Sequence, residues 1–142
     1  MILDRENSFS NGQALSGAGA TASTDSIDFG AVRQIGVGEQ LYIVLNVPVA
    51  AGGTTPTLTV ALQTDDNSAF SSPTAVFTSP TYAAAALTAG AQFVYPLPVT
   101  GMERHARLNY TLGGTSPTIT VDAHLVTSAQ LATMYPGGFS IQ

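Results

Sequence analysis

The sequence contains no cysteine, no lysine and no tryptophan. Without cysteine there are no disulfide staples, no zinc-thiolate sites and no cysteine nucleophile. The basic side chains, apart from two histidines, are Arg5, Arg33, Arg104 and Arg107, against a formal net charge of -5. Binding to nucleic acid needs clustered Lys and Arg to neutralise phosphates, so that partner is excluded. An anionic membrane surface is disfavoured on the same ground. No apolar run reaches the roughly 20 residues that span a bilayer. The start, Met1-Ile2-Leu3-Asp4-Arg5-Glu6, has neither the basic opening nor the apolar stretch of a secretion signal, which predicts a protein made in a cytoplasm.

Charge of either sign is also scarce. Charged residues are 9% of the chain, where about 25% is usual. Thr, Ser, Asn, Gln, Gly and Ala must therefore supply most of the surface. Such an exterior fits burial against a partner. The plainer alternative is a neutral, Thr-rich β surface that meets nothing. A chain of 142 residues is of single-domain size and can build a core without staples.

What the sequence does have is strand-like alternation broken by Gly, Pro and Asx. Ser26 to Phe29 reads as a short strand that Gly30 closes. From Gln40 to Val49, Leu41, Ile43, Leu45 and Val47 share one face, while Tyr42, Val44 and Asn46 take the other. Ala50 to Pro56 carries turn residues, and Leu58, Val60 and Leu62 then alternate with Thr57, Thr59 and Gln63. Asp65-Asp66-Asn67 is a turn by its chemistry, because Asx side chains bond their own backbone. Thr74 to Thr78 and Ala91 to Val99 read as further strands, the second marked as an edge by Pro96 and Pro98. Tyr82 to Leu87 is a helical turn or a loop. His105 to Leu112 and Thr118 to Val126 alternate on either side of a Gly113-to-Pro117 turn. The tail holds a short helical turn near Ser128 to Met134, stopped by Pro136-Gly137-Gly138.

Many short strands with Gly/Pro turns predict an all-β, single-domain antiparallel sandwich, with no internal repeat, charge run or second domain. Residues 1–24 read as an extended arm ahead of a sandwich domain over residues 25–142. Its apolar residues Met1, Ile2, Leu3 and Phe9 precede a flexible Ala/Gly/Ser/Thr stretch from Gln13 to Thr24. That pattern suits a tethered docking segment, with Ile2, Leu3 and Phe9 as contacts, or a frayed terminus.

Catalytic chemistry needs convergent titratable groups, and few are present. Asp122 and His124 lie two apart on the strand face opposite the apolar one. They make a base with its orienter, or, as favoured here, two solvated or cross-sheet groups. Glu103, Arg104, His105 and Arg107 are the densest charge cluster: a salt-bridging patch for a partner through Glu103, Arg104 and Arg107, or the solvated start of a strand. Asp65 and Asp66 are too few to hold a hard cation, and no third carboxylate lies near in sequence. Gly17-Ala18-Gly19 and Gly36-Val37-Gly38 lack the third Gly or Lys of a phosphate loop. No enzyme activity, cofactor or metal is expected.

The opening text carries one further signal. Met1-Ile2-Leu3-Asp4, then Phe9-Ser10-Asn11-Gly12-Gln13-Ala14 and Asp25-Ser26-Ile27-Asp28-Phe29-Gly30, resembles the start of the small capsid cement (decoration) proteins of tailed bacteriophages. Leu62-Gln63-Thr64-Asp65-Asp66 and Arg107-Leu108-Asn109-Tyr110 resemble that family less specifically. The resemblance implies a jelly-roll-like β-sandwich, a structural protein of the virion on the outer surface of the capsid, which bridges neighbouring major capsid proteins without covalent links or catalysis. Low charge and apolar excess add the expectation of a homo-oligomer, a dimer in preference to a trimer. The alternative is a carbohydrate- or receptor-binding sandwich using Tyr82, Tyr95 and Tyr110, although no Trp is available.

Overall fold

The protein is described from a computed structural model over residues 5–30 and 38–128. Two long strands organise it. Leu41–Asp65 (β4) and His105–Thr127 (β8) pair antiparallel along their whole length, from Leu41 opposite Thr127 to Asp65 opposite His105. Three short strands, Ser8–Ser16 (β1), Gly19–Ala22 (β2) and Ile27–Asp28 (β3), line the free side of β8. Three more, Thr74–Thr78 (β5), Tyr82–Ala83 (β6) and Ala91–Pro96 (β7), line the free side of β4. All eight form one antiparallel sheet.

The segments Ala50 to Pro56 and Gly113 to Pro117 do not reverse the chain. They are corners at which β4 and β8 bend side by side while the strands continue. The two corners carry the same pattern, Gly52-Gly53-Thr54-Thr55-Pro56-Thr57-Leu58-Thr59-Val60 and Gly113-Gly114-Thr115-Ser116-Pro117-Thr118-Ile119-Thr120-Val121. They differ only at Thr55/Ser116 and Leu58/Ile119, so the expectation of no internal repeat is corrected. Equivalent residues do equivalent work. Gly53 and Gly114 have φ of +100° and +104°, and Thr55 and Ser116 both sit at +48°. A Cβ on Gly53 would lie 2.5 Å from the Ser116 carbonyl oxygen, and one on Gly114 would lie 2.6 Å from that of Thr55. Glycine is required because two backbones cross there with no room for a side chain.

The bend also changes which residues face inward. In β4 the core set is Ile43, Leu45 and Val47 before the corner, then Leu58, Val60 and Leu62 after it. In β8 it is Ala106, Leu108, Tyr110 and Leu112, then Ile119, Val121, Ala123 and Leu125. Odd positions give way to even ones in β4, and even to odd in β8. The register shifts between Asn46 and Thr57 absorb the change. Both halves of the bent sheet feed a single core cluster, which makes the molecule an all-β, jelly-roll-like sandwich. Ser10, paired beside the far half of β8, shares a 2.7 Å hydrogen bond with the buried Tyr110 hydroxyl of the near half. Burial in that core pushes the Tyr110 phenol well above its ordinary value.

The arm expected over residues 1–24 is corrected for Ser8–Ser16 and Gly19–Ala22, which are strands of the sheet. Phe9 is fully buried in the core, so it is not a free docking anchor. The small-residue stretch is held by Gln13. Its Oε1 accepts from Ser10 Oγ (2.7 Å) and the Thr24 N–H (2.9 Å), and its Nε2 donates to the Ala22 carbonyl (2.9 Å). Ile2 and Leu3 lie outside the described residues, as does the tail turn beyond Ser128. The strand expected at Thr74–Thr78 is found there, and Tyr82 to Leu87 holds a two-residue strand followed by a 3-10 turn, Ala84–Ala86.

The corners give a direct stability test. Gly53→Ala adds a steric overlap to the backbone strain, whereas Gly90→Ala, at φ +86° with nothing within 4 Å of its Cβ, adds strain alone. We expect Gly90→Ala to cost about 1 kcal/mol and Gly53→Ala to cost more than about 3 kcal/mol in denaturant unfolding. Equal costs would mean that the crossing is not tight.

A charged end as the candidate functional site

The start of β8, the end of β4 and strand β3 meet at one end of the sandwich. They gather Asp28, Asp65, Asp66, Glu103, Arg104, His105 and Arg107. Between Gln40 and Thr64 there is no charged residue, nor between Asn67 and Met102, nor between Leu108 and Val121. Sequence reasoning found the cluster at 103–107. It missed Asp28, which becomes a neighbour only through pairing of β3 with β8, Ile27 opposite Ala106 and Asp28 opposite His105.

Arg104 and Asp28 form an exposed two-pronged pair, Nε to Oδ1 and Nη2 to Oδ2, both 2.9 Å. The Arg104 hydrogen bonds hold the Asp28 carboxyl well below the usual range, helped by the Gly30 N–H at 2.8 Å. The His105 ring nitrogen Nδ1 lies 3.9 Å from the same carboxylate.

Arg107 is turned back onto the protein. Its guanidinium lies 4.4 Å from the Phe70 ring centroid, and its Nε donates to Gln63 Oε1 at 2.9 Å. Glu103 is half-buried, and its N–H donates to Thr64 Oγ1 (2.8 Å), whose hydroxyl donates to the His105 carbonyl (2.9 Å). Of the three charged contacts expected, Arg104 is therefore the exposed one, while Glu103 and Arg107 are partly built in.

Asp65 makes the predicted turn. Its Oδ1 accepts the Asn67 N–H (3.0 Å) and its Oδ2 the Ser72 N–H (2.8 Å), which lowers its pKa. The fold brings Glu103 to this pair, so that carboxylate oxygens of Asp65, Asp66 and Glu103 lie within 4.8 Å of one another. Both Asp65 oxygens already serve the turn.

At the opposite end of β8, Asp122 and His124 do not form a base-and-orienter pair. Asp122 Oδ1 accepts the Gly12 N–H, and His124 is buried with no hydrogen-bond partner on Nδ1. Burial lowers the His124 pKa, and the Asp122 charge opposes that shift. The aromatic residues are spent internally too. Tyr95 and Tyr110 are buried, and the Tyr95 hydroxyl donates to that of Tyr82 at 2.9 Å. Phe77 and Phe93 pack on the Tyr95 and Tyr82 rings. Among the described residues Val49 is the one strongly exposed large hydrophobic, so small and polar groups cover most of the surface.

The Bbp16 family model matches residues 9–132, and the chain belongs to that family, whose name points to a phage-related group. No curated protein matches it.

The charged end predicts a specific titration. Arg104→Ala should raise the Asp28 pKa toward the ordinary aspartate value, leaving the smaller lowering due to the Gly30 N–H. Because the folded carboxyl is depressed, its contribution to stability is present above about pH 4 and fades as pH falls through the folded value. Carboxyl-detected NMR titration of parent and variant checks this. An unchanged Asp28 would mean that the pair does not persist in solution.

Proposed function

We propose that the protein is a capsid cement protein. It would bind the outer surface of a bacteriophage head and hold neighbouring major capsid proteins together without covalent links. The observation that carries the reading is the opening motif, which resembles those proteins, joined to membership of the Bbp16 family over residues 9–132. The sparse charge supports it, because a surface with few ions loses little solvation when covered. The mechanism is mass action. A protein that binds only the assembled shell stabilises it by RT ln(1 + [L]/Kd), about 2.7 kcal/mol per site at a hundredfold excess over Kd. In this reading the protein performs no catalysis and needs no cofactor. It acts as a homo-oligomer, a two-fold dimer in preference to a trimer, whose repeated contacts on the lattice give avidity.

Ile2, Leu3 and Arg104 remain the proposed contacts, with the half-buried Glu103 and Arg107 as lesser ones beside Arg104 in the sequence. Phe9 leaves the set because it is core. A carbohydrate-binding role is the weaker reading, since Tyr95 and Tyr110 are buried. The test is co-sedimentation with mature heads of the source phage, followed by cryo-microscopy. Deleting residues 1–4 should leave the fold intact and weaken attachment. Failure of the full chain to sediment with heads, together with no density for it on the shell, would refute the proposal.

A further inference from the structure

The ladder between β1 and β8 is broken at Asn11-Gly12. Ser10 lies opposite Ala123 and Gln13 opposite Val121, so β1 advances by three residues while β8 advances by two. The extra residue forms a bulge in which Gly12 has a φ of +62°. Asn11 and Gly12 are both exposed. No hydrogen bond ties the Asn11 side chain to the described residues. The Gly12 N–H is held by a side chain of the facing strand, Asp122 Oδ1.

Among the asparagines of the chain, Asn11 alone precedes a glycine. An asparagine in that position is open to its own backbone, because the next residue has no Cβ to obstruct the approach. The Gly12 nitrogen bonds to Asn11 Cγ and gives up its proton. The Cγ–Nδ2 bond breaks, and Nδ2 takes up that proton and leaves as ammonia. The cyclic succinimide that results adds water at one of its two carbonyls. One opening gives aspartate; the other gives isoaspartate, in which the backbone runs through the former side chain. Water is the only co-reactant.

Asp122 stands against the first of these steps. Ring closure builds negative charge on the Gly12 nitrogen as its proton departs. A carboxylate bonded to that N–H holds the proton and repels the charge. It is far too weak a base to remove an amide proton outright, so its net effect is to hold it. The residues on either side of the bulge are fastened as well. Ser10 Oγ is bonded to Gln13 Oε1 and to the Tyr110 hydroxyl, both at 2.7 Å, and Gln13 Nε2 to the Ala22 carbonyl at 2.9 Å. The Asn11 amide is the loose group in an otherwise fixed bulge.

We propose that Asn11-Gly12 is a latent self-modification site, at which Asn11 converts to aspartate or isoaspartate through a succinimide, and that Asp122 keeps it closed in the folded protein. Conversion puts a second carboxylate beside Asp122, and isoaspartate also lengthens the backbone between Ser10 and Gln13. Like charges and a lengthened bulge both oppose the pairing of β1 with β8. The strand affected is the one that carries Phe9 into the core. The chemistry is independent of what the protein binds.

The test is incubation of the folded protein for days in mildly alkaline buffer, followed by peptide mapping with mass spectrometry. The map reads the mass gain of an amide turned to an acid, and it separates aspartate from isoaspartate peptides. The parent should convert slowly, at Asn11 before any other asparagine. Asp122→Ala should convert Asn11 severalfold faster, and adding Gly12→Ala to that variant should remove the gain. The proposal is overturned if Asp122→Ala converts Asn11 no faster than the parent, or if the gain survives Gly12→Ala. Should Asp122→Ala fail to fold, the parent decides. Its Asn11 should convert severalfold faster in urea than in the folded chain, and equal rates would overturn the proposal.

Discussion

Everything in this molecule depends on two strands turning a corner without losing each other. β4 and β8 stay paired over their whole length, yet both layers of the sandwich are made from them. A paired ribbon can bend that sharply only where backbones approach closely and φ becomes positive, hence Gly53 and Gly114, each facing the carbonyls of the other strand. The bend moves the inward face by one residue in each strand, which allows one core to be filled from both halves. The short strands are then clothing: three along the open side of β8 and three along that of β4. The repeated corner pattern gives each long strand the same device at the same place.

The local text revealed much of this and concealed the rest for one reason. Alternation in Leu41 to Val47, Thr57 to Gln63 and Thr118 to Leu125 marked the core faces correctly, because side-chain direction in a strand is a local property. The corner segments read as chain reversals because Gly, Thr and Pro are turn residues. Whether such a stretch reverses or bends is decided by the partner strand, which is distant in sequence. The same blindness made Gln13 to Thr24 look like a tether. Its composition is flexible, but pairing with β8 and the Gln13 side chain fix it.

The candidate surface shows a similar division. Arg104 was visible as part of a charged run, but its partner Asp28 was not, since β3 reaches β8 only in the folded chain. Arg107 looked equally available from sequence and is instead laid over Phe70. Phe9 looked like an anchor and is core. Among the described residues, Asp65, Arg107 and Asp122 are spent on the protein's own turns and strands. The described surface is mainly neutral, rich in Thr, Ser, Gly and Ala, with the exposed Asp28–Arg104 pair at one end.

The central claim, that one bent ribbon holds both layers, is tested most directly by native-state hydrogen exchange in low denaturant. If β4 and β8 are a single cooperative unit, amides of Val44 and Leu45 before the corner and of Val60 and Leu62 after it should report the same opening free energy, equal to that of global unfolding. Exchange of one half through an opening of distinctly lower free energy, with the other half still protected, would contradict the account and make the corner a hinge between two separately stable layers.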